Sequence, residues 1–244
     1  MEAPATIAAV ILETVPGTAG IMPPPPGYLA GVKALCERHG ILYIADEVMT
    51  GFGRTGAWFG IDHYDVVPDL MTFAKGVNSG YVPLGGVVIS DEVAATFDNR
   101  VYPGGLTYSG HPLACGAAVA TIGAMADEGM VENAARLGTD VFGPALAKIA
   151  DAHPSVGEVR GLGAFWAIEL VKDPETREPL APYGGTSDAM AATVGACKKA
   201  GLLPFVNYNR IHVVPPLNIS DEDAHRGLEI LDQALAVADE AVTG

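Results

Sequence analysis

The amino-acid sequence predicts an α/β protein: a mainly parallel sheet covered by helices, followed by a smaller α+β region. Three observations lead there. Ile7 to Leu12 and Ile41 to Ala45 are uninterrupted apolar runs, the pattern of strands buried inside a parallel sheet. Between them, Tyr28 to Arg38 carries apolar residues at helical spacing. Past residue 130 the pattern changes to two strand-like runs facing each other across Gly161-Leu162-Gly163, then two amphipathic helices.

Ile7 to Leu12 ends at Glu13 and reads as a strand buried on both faces. Gly17 to Gly27 holds the consecutive prolines Pro23 to Pro26 and has to be an irregular loop. Leu29, Val32, Leu35 and Cys36 share one face of the first helix, and Gly40 supplies its stop signal. The strand Ile41 to Ala45 halts at Asp46-Glu47 and opens into a glycine-rich loop, Gly51-Phe52-Gly53-Arg54-Thr55-Gly56. Leu70 to Ala74 and Gly86 to Ile89 are two more short strands, and Ser90 caps a short helix. Tyr102 to His111 is a loop dense in glycine and hydroxyls, and a long helical region follows to about Ala150. Val156 to Arg160 and Ala164 to Leu170 form a hairpin, and Asp173 to Gly185 is a polar excursion. Ser187 to Ala200 is helical, Ile211 to Val214 is a short strand, and Ser220-Asp221-Glu222-Asp223 opens a last helix reaching Val242. The domains fall at 1–129 and 130–244.

A chain of 244 residues, 49% of them hydrophobic, can build one large or two small domains. Its net charge of -15 is spread along the chain. That argues against nucleic acid or an anionic membrane as partner. Cys36, Cys115 and Cys197 show neither a CxxC pair nor zinc spacing, which suits reduced thiols in a cytoplasmic protein. No signal peptide or metal-ligand spacing is evident. The apolar stretch Pro112 to Ala126 is too short to span a bilayer and reads as a buried helix.

In an open α/β sheet the carboxyl ends of the strands line the ligand crevice. Asp46 and Lys75 both follow apolar runs, so both are expected at one cavity. Of the lysines, only Lys75 follows a strand-like run; the others sit on helical stretches or in a charged turn. A partly desolvated amine opposite a carboxylate suits pyridoxal phosphate chemistry: the amine forms a Schiff base and the acid pairs with the pyridine nitrogen. Taken singly, Lys75 also reads as a surface lysine and Asp46 as a strand-end cap.

The run Asp46-Glu47-Val48-x-x-Gly51-Phe52-Gly53-Arg54-x-Gly56, with Asp69-Leu70-Met71-x-x-Ala74-Lys75-Gly76, resembles the signature of the class III pyridoxal-phosphate aminotransferases. Leu106 to Ala114 and Val159-Arg160-Gly161-x-Gly163 match further blocks of that family. The resemblance implies part of the fold-type I large domain, followed by the small C-terminal domain. It implies Lys75 as the Schiff-base lysine that moves the substrate proton, Asp46 on the ring nitrogen and Val48 against the ring. Thr107 would reach the cofactor phosphate of a neighbouring subunit, in a homodimer or higher homo-oligomer. Arg210 or His212 would bind the acidic end of the substrate, with Glu13 at the crevice near it. Glu47, Arg54 and Arg160 read as loop-fixing residues. Glu13 to Gly20 and Asn207 to Pro216 look most like taurine–pyruvate aminotransferases. The implied reaction moves an amino group from an ω-amino or other primary amine, taurine- or β-alanine-like, to a keto acid, with pyruvate expected as acceptor. A related aminomutase or racemase would use the same Asp and Lys. Family members also carry about as much chain again before Ile7, including the N-terminal half of the fold and a phosphate-binding turn. On that basis the chain resembles a C-terminal portion, expected to self-associate or to act only with the remainder, or to be inactive.

Overall fold

The computed structural model describes residues 3–243. They fall into two compact units. Met1–Val15 and Pro24–Val131 make the first, Pro16–Pro23 and Glu132–Gly244 the second.

The first unit is built on a four-stranded sheet in the order β1 (Ala9–Glu13), β2 (Leu42–Asp46), β3 (Leu70–Phe73), β4 (Gly86–Ile89). The first three strands are parallel and β4 is antiparallel. Helix α1 (Tyr28–His39) lays Leu29 and Cys36 on Tyr43 and Ala45 of β2, with Ile41, Ile61 and Val66 closing the core. Lys33 of α1 reaches Asp69 at 2.9 Å. The other oxygen of Asp69 accepts the Tyr43 backbone N–H at 2.7 Å, so one carboxylate joins helix, strand and the approach to β3. Contrary to expectation, the run Ile7 to Leu12 is not buried on both faces: Ile7, ahead of β1, and Ile11, within it, are 38% and 56% exposed. Among the described residues β1 pairs with β2 alone, which leaves its other side without a neighbouring strand. Ser90 caps α2 (Asp91–Ala95) by accepting the Val93 N–H. The expected long helix is a series: α3 (Pro112–Asp127), α4 (Met130–Arg136), a π-helical segment Leu137–Phe142, and α5 (Gly143–Ala152). Gly129, at φ 59°, ends the first of them.

The second unit packs helices on an antiparallel sheet in the order β5 (Val156–Leu162), β6 (Phe165–Asp173), β9 (Arg210–Val213), β8 (Phe205–Asn207). A two-residue β7 (Glu178–Pro179) pairs with β6 inside the polar excursion. It and β8 are too short to carry a pattern. Leu137, Leu146, Ile168, Leu170, Ile211, Leu231 and Leu235 are fully buried in one core with α6 (Asp188–Lys199) and α7 (Asp221–Asp239). Ser187 and Ser220 cap α6 and α7 by accepting the N–H groups of Met190 and Asp223. The far end of α7 is stapled by His153, the C-cap of α5. Its Nδ1 lies 2.6 Å from Asp239 and its Nε2 3.2 Å from Asp232. Ser155 gives both its hydroxyl and its N–H to Asp239. Among the described residues no helix is long and apolar enough to cross a membrane, and the three cysteines are free thiols.

Candidate active site

The register of the parallel strands sets Glu13, Asp46 and Thr72 side by side near one edge of the sheet. Asp46 is the last residue of β2, and Lys75 follows the end of β3 by two residues. The Asp46 Oδ1 accepts the Val48 N–H at 2.9 Å, and its Oδ2 has no partner among the described residues. Lys75 opens a short 3₁₀ turn, Lys75–Asn78, against which α3 packs. Its φ is +42°, a left-handed value that costs a residue bearing a Cβ about 1–2 kcal/mol. Its amine makes no ion pair or hydrogen bond with the described residues. Lys75 is exposed, not desolvated as its apolar approach suggests, because the turn lifts it off the end of the strand. Thr72 Oγ1, on the register partner of Asp46, is buried without a partner among the described residues. Val48 is half-buried, Glu13 exposed, and Thr107 sits in an exposed loop ahead of α3.

Glu47 is fully buried. Its Oε1 accepts the Thr14 hydroxyl at 2.6 Å and the Ile61 N–H at 2.8 Å. Its Oε2 accepts the Thr50 hydroxyl at 2.5 Å and the Gly60 N–H at 2.8 Å. Both oxygens are therefore saturated, which offsets the desolvation of a buried carboxylate. A Cβ on residue 60 would sit 2.8 Å from Thr50 Cβ and 3.3 Å from Glu47 Oε2, so only glycine admits this approach. The sequence points to Glu47 as a loop tie. It does not reveal the partners, which come from three separated segments.

In the second unit Arg210 and Glu169 are cross-strand partners, as are His212 and Ala167. His212 is 4% exposed, edge-on to the Phe205 ring at 5.0 Å. Burial, with Arg210 and Arg160 nearby, pulls its pKa down to about 4. A neutral imidazole offers no positive charge to an anion, which separates it from Arg210 as a candidate for the substrate's acidic end. The Arg210 Nη1 donates to the Ala19 carbonyl, and its Nε faces Glu169 across 3.7 Å. Arg160 donates through Nε to the Gly20 carbonyl at 2.8 Å and pairs through Nη2 with Glu169 at 2.7 Å. Asn207 donates to the Thr18 carbonyl at 2.6 Å. Three consecutive carbonyls, 18 to 20, are thus gripped by three side chains from β5, β8 and β9. Gly20 has φ +128°, and a Cβ there would lie 2.7 Å from Arg160 Nη2 and 2.8 Å from Arg210 Cδ. Arg160 is a loop-fixing residue in this geometry. Among the described residues no group of three or more His, Cys, Asp or Glu is placed to hold a metal ion.

The carboxyl ends of β2 and β3 offer a pyridine aldehyde an Asp46 oxygen and the Lys75 amine, neither with a partner among the described residues, with the Thr72 hydroxyl next to Asp46. Comparison with known proteins agrees with this chemistry. The family model described as aminotransferase class-III matches residues 1–235. The chain is 40% identical over 238 residues to a 4-aminobutyrate aminotransferase of Escherichia coli, covering 95% of this chain and 53% of the relative. It is 38% identical over 242 residues to a probable 4-aminobutyrate aminotransferase of Bacillus subtilis, covering 96% of this chain and 52% of the relative. Among solved structures, taurine:2-oxoglutarate aminotransferase from Bifidobacterium kashiwanohense, in complex with PLP and glutamate, superimposes with a TM-score of 0.94 at 41% identity; the match covers 98% of this chain and 54% of that one. An (S)-enantioselective omega-transaminase from Thermomicrobium roseum gives 0.86 at 40% identity, over 96% of this chain and 51% of that one. The chain spans about half the length of the relatives it matches.

Proposed function

The chain belongs to the class-III aminotransferases, and on that footing we propose that it carries the catalytic lysine–aspartate pair of a pyridoxal 5'-phosphate transaminase. The observation that supports this best is the placement of Asp46 and Lys75 at the carboxyl ends of adjacent parallel strands. Bound pyridoxal phosphate would supply an electron-withdrawing ring that stabilises negative charge at the substrate carbon. Asp46 would hold the ring nitrogen through its uncommitted Oδ2, with Val48 against the ring. Lys75 would anchor the aldehyde through Nζ and then carry the substrate proton on that same atom. Thr107 would contact the phosphate from a neighbouring subunit. For the acidic end of the substrate we assign Arg210, whose Nη2 has no partner among the described residues, with Glu13 at the sheet edge. The donor class is then an ω-amino acid or sulfonate such as taurine or β-alanine. Pyruvate is the proposed acceptor; 2-oxoglutarate, named for the taurine enzyme that this chain superimposes on, is the competing one.

The test is trapping. Incubation with pyridoxal phosphate, borohydride reduction and peptide mapping should place the label on Lys75. Label spread over the other lysines with Lys75 free overturns the assignment. Product assays with taurine, β-alanine and 4-aminobutyrate against each keto acid then sort donor and acceptor.

A further inference from the structure

We infer that Glu47 is a positioning residue for Asp46 and Val48: its saturated carboxylate fixes the turn that aims them. The purpose of this device rests on the transaminase reading of Asp46, whereas its geometry does not. Glu47 lies between the two residues assigned to the cofactor ring. Its backbone N–H donates to the Thr72 carbonyl at 2.9 Å, and its own carbonyl accepts the Gly51 N–H at 2.9 Å. Its side chain turns the opposite way from an exposed catalytic role and is consumed in the interior. There it joins Thr14, the residue after Glu13, to Thr50 in the turn after β2 and to the start of the 60–63 turn. With those three segments joined, the Val48 N–H is held where the Asp46 Oδ1 can accept it. One Asp46 oxygen is thereby fixed, leaving the other without a partner among the described residues.

The chemistry at 47 is exacting. Each carboxylate oxygen meets one hydroxyl and one backbone N–H. A glutamine has only one acceptor oxygen; its amide nitrogen would face the other pair. A threonine hydroxyl can rotate to accept from that amide, but a backbone N–H cannot, so in either amide orientation one N–H, of Gly60 or of Ile61, meets another donor. Substitution of Glu47 should therefore loosen the turn locally and leave the sheet of the second unit untouched.

Amide hydrogen exchange on the full chain without cofactor reads this directly. In Glu47→Gln, exchange at Val48, Gly60 and Ile61 should accelerate about 10-fold or more, while Ile168 and Leu170 in β6 keep their parent rates. Thr50→Val, which removes one hydroxyl and leaves the carboxylate, should show a smaller acceleration at the same amides, and it serves if the first variant does not fold. Unchanged exchange at Val48 in the variants overturns the inference. So does an equal acceleration across β6, which would mark Glu47 as a general stabiliser. Borohydride trapping on the parent chain is scored separately: label spread over the other lysines with Lys75 free sinks the transaminase reading, and the exchange pattern still decides the role of Glu47.

Discussion

At the level of single residues, the backbone of Lys75 is a testable peculiarity. A left-handed φ at a non-glycine residue is held in place by its surroundings and clusters where function requires it. Two variants without the amine isolate the backbone effect. Lys75→Gly and Lys75→Ala both lose the side chain, but only glycine takes φ +42° without steric cost. The unfolding free energy of Lys75→Gly should exceed that of Lys75→Ala by about 1 kcal/mol. Denaturant titration checks it, and equal values would mean the turn relaxes freely. The outlier is invisible in the sequence, where Ala-Lys-Gly suggests only the end of a strand. The positions of Asp46 and Lys75 at strand ends are legible, because parallel strands are written as mainly apolar runs and the first charged residue marks their end. The quadruple role of the Glu47 oxygens is not, since hydrogen bonds between distant segments leave no periodic trace.

Among the elements, the staple on α7 gives the fold a pH dependence. Both ring nitrogens of His153 face carboxylates, so both must carry protons. Burial pulls the His153 pKa down, but the hydrogen bonds to Asp239 and Asp232 outweigh it, and the net shift is upward from 6.5. A cation also suits the C-terminus of α5. Since the folded value is the higher one, this contribution is complete below the ordinary histidine pKa and disappears as pH rises through the folded one. Asp239 is shifted the other way: burial opposes its ionisation, but the bonds from Ser155 and His153 prevail. Its share is present above the ordinary aspartate pKa and is lost as pH falls through the lowered value. Both shares are present between about pH 4 and 6.5. His153→Gln should cost about 2 kcal/mol at pH 6, and the gap to the parent should close as pH is raised toward 9. A gap independent of pH would show that His153 binds as a neutral ring. The capping serines at 90 and 220 and the hairpin after Val156 were readable from local chemistry. β7, β8 and the break at Gly129 were not, the strands for want of length and the break because Gly in a helix-rich run is ambiguous.

For the molecule as a whole, the two cores differ in size. Among the described residues, twenty buried side chains make up the main core of the second unit, against seven in the first. Apolar burial at about 25 cal/mol per Å² dominates stability, so the second unit should open last. Amides in β6 and α7 are expected to exchange at least about 10-fold more slowly than those in β2 and α1; matched rates would point to one cooperative block. The grip on the carbonyls of residues 18 to 20 has a consequence for how the chain reaches its native state. Its partners lie 140 to 191 residues further on. Contacts of such separation come late, because the loop-closure entropy precedes any gain. As the ribosome extends the chain, residues 16–23 emerge before the whole of 24–131, yet the sheet that receives them is finished only when β9 appears. The second unit therefore has to recruit a segment made long before it, and Gly20 keeps that berth open until Arg160 and Arg210 close on it.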